Sequence, residues 1–197
     1  MTTAKVLSTK GRATRQALED AARNLFAERG FHGTTLADIT AAAGKSTASF
    51  YRYFTDKEDL LTALAEDFLR DLADLPGIGT GDDFFSSATS VYWHMFRPNI
   101  GIMLAVDQLA ATETRFALLQ NRFRRFGMDI VAASVRRAQQ QGHAAELNPD
   151  HTALAIALLF ERFTSVSLSQ GLSDEAAVTT LSTIWRRCVY GNEPKEK

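Results

Sequence analysis

The residues with the most chemical content lie between Thr34 and Lys57. Thr47, Ala48 and Ser49 are small, two of them carry hydroxyls, and Arg52 follows within about one helical turn. Near the start of a helix such side chains can meet base edges in a DNA groove, Ala48 through a thymine methyl. Arg52 suits a solvated surface charge equally well. Thr34 and Thr35 precede a helix start, where unpaired N–H groups and the helix dipole favour a phosphate; Thr35 can also act there as a cap. Gly44-Lys45-Ser46 has the ending of a phosphate-binding loop, but the leading glycine of such a loop would fall at Ile39 and no strand precedes it. The four histidines, His32, His94, His143 and His151, show no metal-ligand spacing with one another or with Cys188. No serine, cysteine or histidine stands in a nucleophile motif. The chemistry these residues support is DNA contact, with no catalytic residues, no metal site and no cofactor.

Placing those residues on a DNA groove needs short helices at a fixed angle. Thr35 is a plausible N-cap, and Asp38 three residues on completes a capping-box-like pair. Ile39 and Ala42 give that helix a small apolar face. Gly44 can take the positive φ that ends it. Ser46 is placed to cap a second short helix whose Phe50 and Phe54 share one face. Thr55 and Glu58 stand at capping-box spacing for a fourth helix. Upstream, a helix over about Arg12–Arg29 carries Leu18, Ala22, Leu25 and Phe26 on one face and ends at Gly30-Phe31. The layout is a helix-turn-helix, which presents its second helix to the major groove.

Thr34-Thr35, Ile39, Ala43-Gly44-x-Ser46 and Phe50-Tyr51-x-Tyr53-Phe54-x-x-Lys57 resemble the DNA-binding signature of TetR-family transcriptional regulators. The motif match covers about residues 12–60; beyond them the resemblance is one of length and helical pattern. It implies that Tyr51, Tyr53 and Lys57 hold phosphates, that the fourth helix links two domains, and that the central helices surround a ligand pocket. Lys45 departs from the pattern, which usually has a small apolar residue there. A lysine can lay its stem on the helix with its charge in solvent, or reach a phosphate.

Composition agrees with a regulator. Hydrophobic residues make up 45% and charged residues 23% of 197, which excludes a disordered chain. No apolar run is long enough to span a membrane and no signal peptide opens the chain; with one cysteine, a cytoplasmic protein is expected. The net charge of −1 conceals an asymmetry: residues 1–57 carry nine Lys/Arg and five Asp/Glu, net +4, and the rest is net −5. The basic excess coincides with the helix-turn-helix, as phosphate binding requires.

The chain reads as all-α, about nine helices, with no internal repeat. Residues 1–11 are expected to form a flexible basic arm, 12–58 the helix-turn-helix domain and 59–197 a helical ligand-binding and dimerisation domain. The breaker Pro76-Gly77-Ile78-Gly79-Thr80-Gly81 is expected to stop the fourth helix, and later helices to run over 82–97, 99–112, 114–141, 149–170 and 174–190. Aromatic and methionine residues crowd helices 82–141, and such surfaces line pockets. The candidates for a ligand site are Trp93, His94, Phe96, Met103, Asp107, Phe123, Phe126 and Glu161. Glu161 interrupts a very apolar run and can orient a ligand or pair with Arg162 or Arg186. The last two helices are apolar on more than one side, which calls for a partner; the family resemblance makes this a four-helix homodimer interface.

The expected function is a ligand-responsive transcriptional regulator, a dimer released from a pseudo-palindromic double-stranded operator by a small apolar effector, with no membrane partner. The alternatives are a helical enzyme or ligand carrier, or a protein-binding adaptor, with an incidental helix-turn-helix. Steep salt dependence separates DNA binding from an adaptor, and turnover without DNA binding would mark the enzyme.

Overall fold

A computed structural model describes residues 8–75 and 83–191. Among them are nine α-helices, one 3-10 turn and no strand. The Ser8 hydroxyl accepts from the Gly11 amide at 3.2 Å and opens α1, Thr9–Arg29. Three residues assigned to a loose arm by sequence are therefore helical, because a cap lies farther upstream than the apolar stripe shows. Gly30, at φ 72°, ends α1. Then come α2 (Leu36–Ala42), α3 (Thr47–Phe50) and α4 (Lys57–Ala73).

The later elements are α5 (Phe84–Phe96), a 3-10 turn at Arg97–Asn99, α6 (Ile100–Ala110), α7 (Thr114–Gln140), α8 (Pro149–Ser169) and α9 (Asp174–Tyr190). Pro98 sits in the first turn of the 3-10 segment, where its missing N–H costs nothing, so it joins α5 to α6 instead of leaving a loop. Ser173 caps α9 through the Ala176 amide. The Pro/Gly breaker after α4 lies outside the described residues.

The chain divides into two compact units, one of residues 1–70 with 101–119 and one of 71–100 with 120–197. The boundaries fall inside α4, at the first residue of α6 and inside α7. In the first unit Leu18, Phe26, Phe31, Ile39, Phe50 and Leu60 are buried to 2% or less. In the second, Trp185 packs edge-on against Phe84 and Phe85, at centroid distances of 5.5 and 5.1 Å, and its indole N–H reaches the buried Ser134 hydroxyl at 3.1 Å. Trp93 donates to Asp174 at the start of α9 at 2.9 Å.

Candidate DNA-binding face and ligand cavity

The helix-turn-helix is fixed by reciprocal caps. Thr35 Oγ1 accepts from the Asp38 amide at 3.2 Å, and the Asp38 carboxylate takes the Thr35 amide at 2.8 Å and its hydroxyl at 2.6 Å. These bonds from Thr35 favour the ionised carboxylate and hold Asp38 below the usual range. At the other end of α2 the Lys45 amide reaches Thr40 O at 2.8 Å and the Gly44 amide reaches Ala41 O at 3.0 Å, around Gly44 at φ 61°. This pair of bonds is a Schellman closure. It asks only for a backbone N–H at position 45, so the unusual Lys45 leaves the turn intact and keeps its side chain exposed. Ser46 then caps α3 through the Ser49 amide at 3.2 Å.

Phe50 and Phe54 are buried at 0% and 3%, with ring centroids 5.5 Å apart, and they anchor α3 and the turn after it. Their burial turns the opposite face outward. Thr35, Lys45, Thr47, Ala48, Tyr51 and Arg52 are exposed, and Ser49 and Tyr53 are half-buried. Tyr51 is 60% exposed, which rules out packing against α1 as its main role.

Two candidates point the other way. Thr34 is 1% exposed, and its hydroxyl donates to Gly30 O at 2.8 Å and Leu25 O at 3.3 Å. It is corrected from a DNA contact to a side chain that closes the α1–α2 turn. Lys57 donates to Phe31 O and Thr34 O, both at 2.7 Å, with its ammonium 4.1 Å from the centre of the Phe31 ring. One ammonium proton of three is left for a phosphate. Burial draws the Lys57 pKa below its usual value, against a smaller upward pull from Glu58. The start of α4 is capped one residue later than Thr55 and Glu58 suggest. The Asp59 amide donates to Asp56 Oδ1 at 2.6 Å, and the Asp59 carboxylate takes the Thr55 amide at 2.9 Å.

The second unit holds a cavity between α5, α7 and α8, with Trp185 of α9 on its wall. Its volume is about 50 Å³. Tyr92 stacks on Phe96 at 4.3 Å and meets Phe160 edge-on at 5.0 Å, and Phe123 and Phe126 of α7 also line the cavity. The polar part is narrow. Arg124 forms a fork with Glu161, Nε to Oε1 at 3.1 Å and Nη2 to Oε2 at 3.0 Å. The buried Thr164 hydroxyl donates to the Tyr92 oxygen at 3.3 Å. Burial, reinforced by the Glu161 charge and opposed by that hydrogen bond, pushes the Tyr92 pKa far up, so the phenol keeps its proton.

Phe96, Phe123, Phe126 and Glu161 thus line the cavity, and Glu161 pairs with Arg124 instead of Arg162 or Arg186. The other four candidates do not line it. Trp93 is fully buried beside α9, and His94 is exposed with Nδ1 against Ser90 O at 2.8 Å. Met103 and Asp107 belong to α6, in the other unit. Arg124, Gly127 and Phe160 also line the cavity without having been singled out for a ligand by sequence, as does Tyr92, which belonged to the aromatic set of helices 82–141. A signal for Arg124 existed: with Phe123, Gly127, Ile130 and Val131 it follows the helical spacing of α7.

A capped, glycine-turned helix pair with an exposed second helix defines a DNA-binding regulator of the helix-turn-helix class. A family model of bacterial regulatory proteins, tetR family, matches residues 18–64. The HTH-type transcriptional repressor KstR2 of Rhodococcus jostii is 30% identical over 140 residues, covering 65% of this chain and 69% of that protein. The HTH-type transcriptional regulator EthR of Mycobacterium tuberculosis is 29% identical over 181 residues, covering 86% and 84%. A bacterial regulatory protein in the TetR family from Rhodococcus RHA1 has the same fold, with a TM-score of 0.75 at 20% identity over 95% of this chain and 100% of that one. The chain belongs to the TetR family of transcriptional regulators. Its relatives are regulators and not enzymes, which sets the enzyme alternative aside. Members bind DNA operators and small effectors and act as dimers. Among the described residues no helix is long and apolar enough to cross a membrane.

Proposed function

We propose that this protein is a cytoplasmic repressor that holds a two-fold symmetric operator as a homodimer and releases it when a small, largely apolar molecule fills the cavity between α5, α7 and α8. The observation that carries the DNA half is the outward set Thr47, Ala48, Tyr51 and Arg52, with Ser49 half-buried beside them, fixed by burial of Phe50 and Phe54. Thr47, Ala48 and Ser49 meet base edges. Tyr51, Tyr53 and Lys45 meet phosphates, joined by the remaining proton of Lys57 and the hydroxyl end of Thr35. Arg52 adds charge at the groove edge.

The dimer face is proposed on α8 and α9, where Leu154, Leu158 and Ile184 are each more than 40% exposed while the opposite sides of both helices are buried within the unit. Covering such residues with the same face of a second copy removes apolar surface from water and makes an isologous contact.

Selection of bound sequences from random duplexes, followed by a screen for molecules that release the selected site, tests both halves. Recovery of a symmetric site supports the proposal. Enrichment of no sequence, or binding that ignores salt, would overturn it.

A further inference from the structure

The cavity has a closed charge balance and guanidinium protons left over from it. Glu161 takes the Nε proton and one Nη2 proton of Arg124, which leaves both Nη1 protons and one Nη2 proton to donate. The Tyr92 hydroxyl is paired with the buried Thr164 hydroxyl at 3.3 Å. Arg124 and Tyr92 both line the cavity. A ligand therefore meets the free guanidinium protons of Arg124, while the charge of Glu161 is balanced by the fork.

Charge works against ions of either sign. Arg124 and Glu161 are 19% and 26% exposed, so water screens them only in part. A carboxylate entering beside them would add a second negative charge next to Glu161, and a like charge at that range is disfavoured. An ammonium would meet Arg124 in the same way. A carbonyl oxygen accepts from the free protons of Arg124 and leaves the fork intact, and its carbon chain fits among Tyr92, Phe96, Phe123 and Phe160.

Given that this cavity is the effector site, we propose that its effector is an uncharged molecule with a carbonyl-type acceptor, and that Glu161 is the specificity residue that excludes carboxylates by neutralising Arg124. Glu161 positions and neutralises the arginine; Arg124 donates to the ligand and the Tyr92 ring packs on its carbon chain.

Trp185 on the cavity wall supplies the readout. Its fluorescence in the full chain at neutral pH is followed with hexan-2-one, hexanoate and hexylamine. The wild type is expected to bind hexan-2-one at least about tenfold more tightly than either ion, a difference of about 1.4 kcal/mol. Glu161→Gln should tighten hexanoate at least about tenfold and leave hexan-2-one nearly unchanged. Exchanging the pair, Arg124→Glu with Glu161→Arg, keeps the site neutral and should restore the preference for the ketone even if the single variant folds poorly. Equal binding of hexanoate and hexan-2-one by the wild type overturns the proposal, as does an unchanged ratio in Glu161→Gln. Gly127→Leu separates the two levels, because a Cβ at Gly127 meets nothing within 4 Å and the residue lies in the lining stripe of α7. If all three compounds bind without charge selectivity and Gly127→Leu abolishes binding, the cavity stands as the ligand site and the charge rule alone is wrong. If none binds the wild type, the cavity assignment and the proposal fall together.

Discussion

Lys57 and Tyr51 share a place in the family pattern of phosphate contacts, and burial separates them. The Lys57 ammonium closes two carbonyls that water does not easily reach, and hydrogen bonds from a charged donor are worth about 1.5–3 kcal/mol each. Lys57→Met should therefore destabilise the first unit by roughly 2 kcal/mol, seen as a lower midpoint in denaturant, with operator affinity at low temperature much less affected. A Lys57→Met chain of unchanged stability that no longer binds DNA would put the phosphate role first. Tyr51 is largely exposed, so Tyr51→Ala should leave the melt unchanged and weaken binding to operator and unrelated duplex alike, by roughly 1 kcal/mol. Titrating both variants on selected and scrambled duplexes at two salt concentrations checks this. A loss confined to the selected site would make Tyr51 a base reader.

Among the elements, α6 is held to α1 by the absence of a side chain. A Cβ at Gly101 would lie 2.4 Å from Ala27 N and 2.7 Å from the Phe26 carbonyl carbon, and both are backbone atoms with little room to yield. Gly101→Ala should thus separate the two helices and cost about 1–3 kcal/mol, although alanine is the better helix former. Calorimetric melts decide it: a variant as stable as the parent would mean that the contact relaxes without cost. Helix α5 shows the same sensitivity to rotation. Tyr92 faces the cavity and Trp93, about 100° further round, faces α9, so neighbours in sequence have unrelated roles.

For the whole molecule, the charge asymmetry and the exposed leucines make function a matter of assembly. Leu158 and Ile184 are 44% and 41% exposed, whereas Leu181 is fully buried within its own unit. A test of dimerisation must therefore spare Leu181, whose replacement by a charge would damage the core instead. Leu158→Glu with Ile184→Glu should shift sedimentation from dimer to monomer while the helical circular dichroism is retained. Operator affinity should fall by about 10²-fold or more, because the second half-site is no longer delivered by linkage. A wild type that sediments as a monomer at micromolar concentration yet binds operator tightly would contradict the dimer.

What the residues alone determined was local in origin. The caps at Thr35, Ser46 and Ser173, the turn at Gly44 and the apolar stripe of α1 each arise from interactions within a few residues, so spacing revealed the helices and the helix-turn-helix. The signal failed where a polar group's partner is distant in the chain or a helix is apolar all round. Nothing near Lys57 announces the carbonyls of Phe31 and Thr34, and nothing near Glu161 announces Arg124, 37 residues away. Trp93 and Met103 looked as suited to a pocket as Phe123 and Phe126, because bulk and apolarity do not say which way a helix is turned or which unit it joins. Tertiary packing alone decided that, by choosing which side of each helix to remove from water.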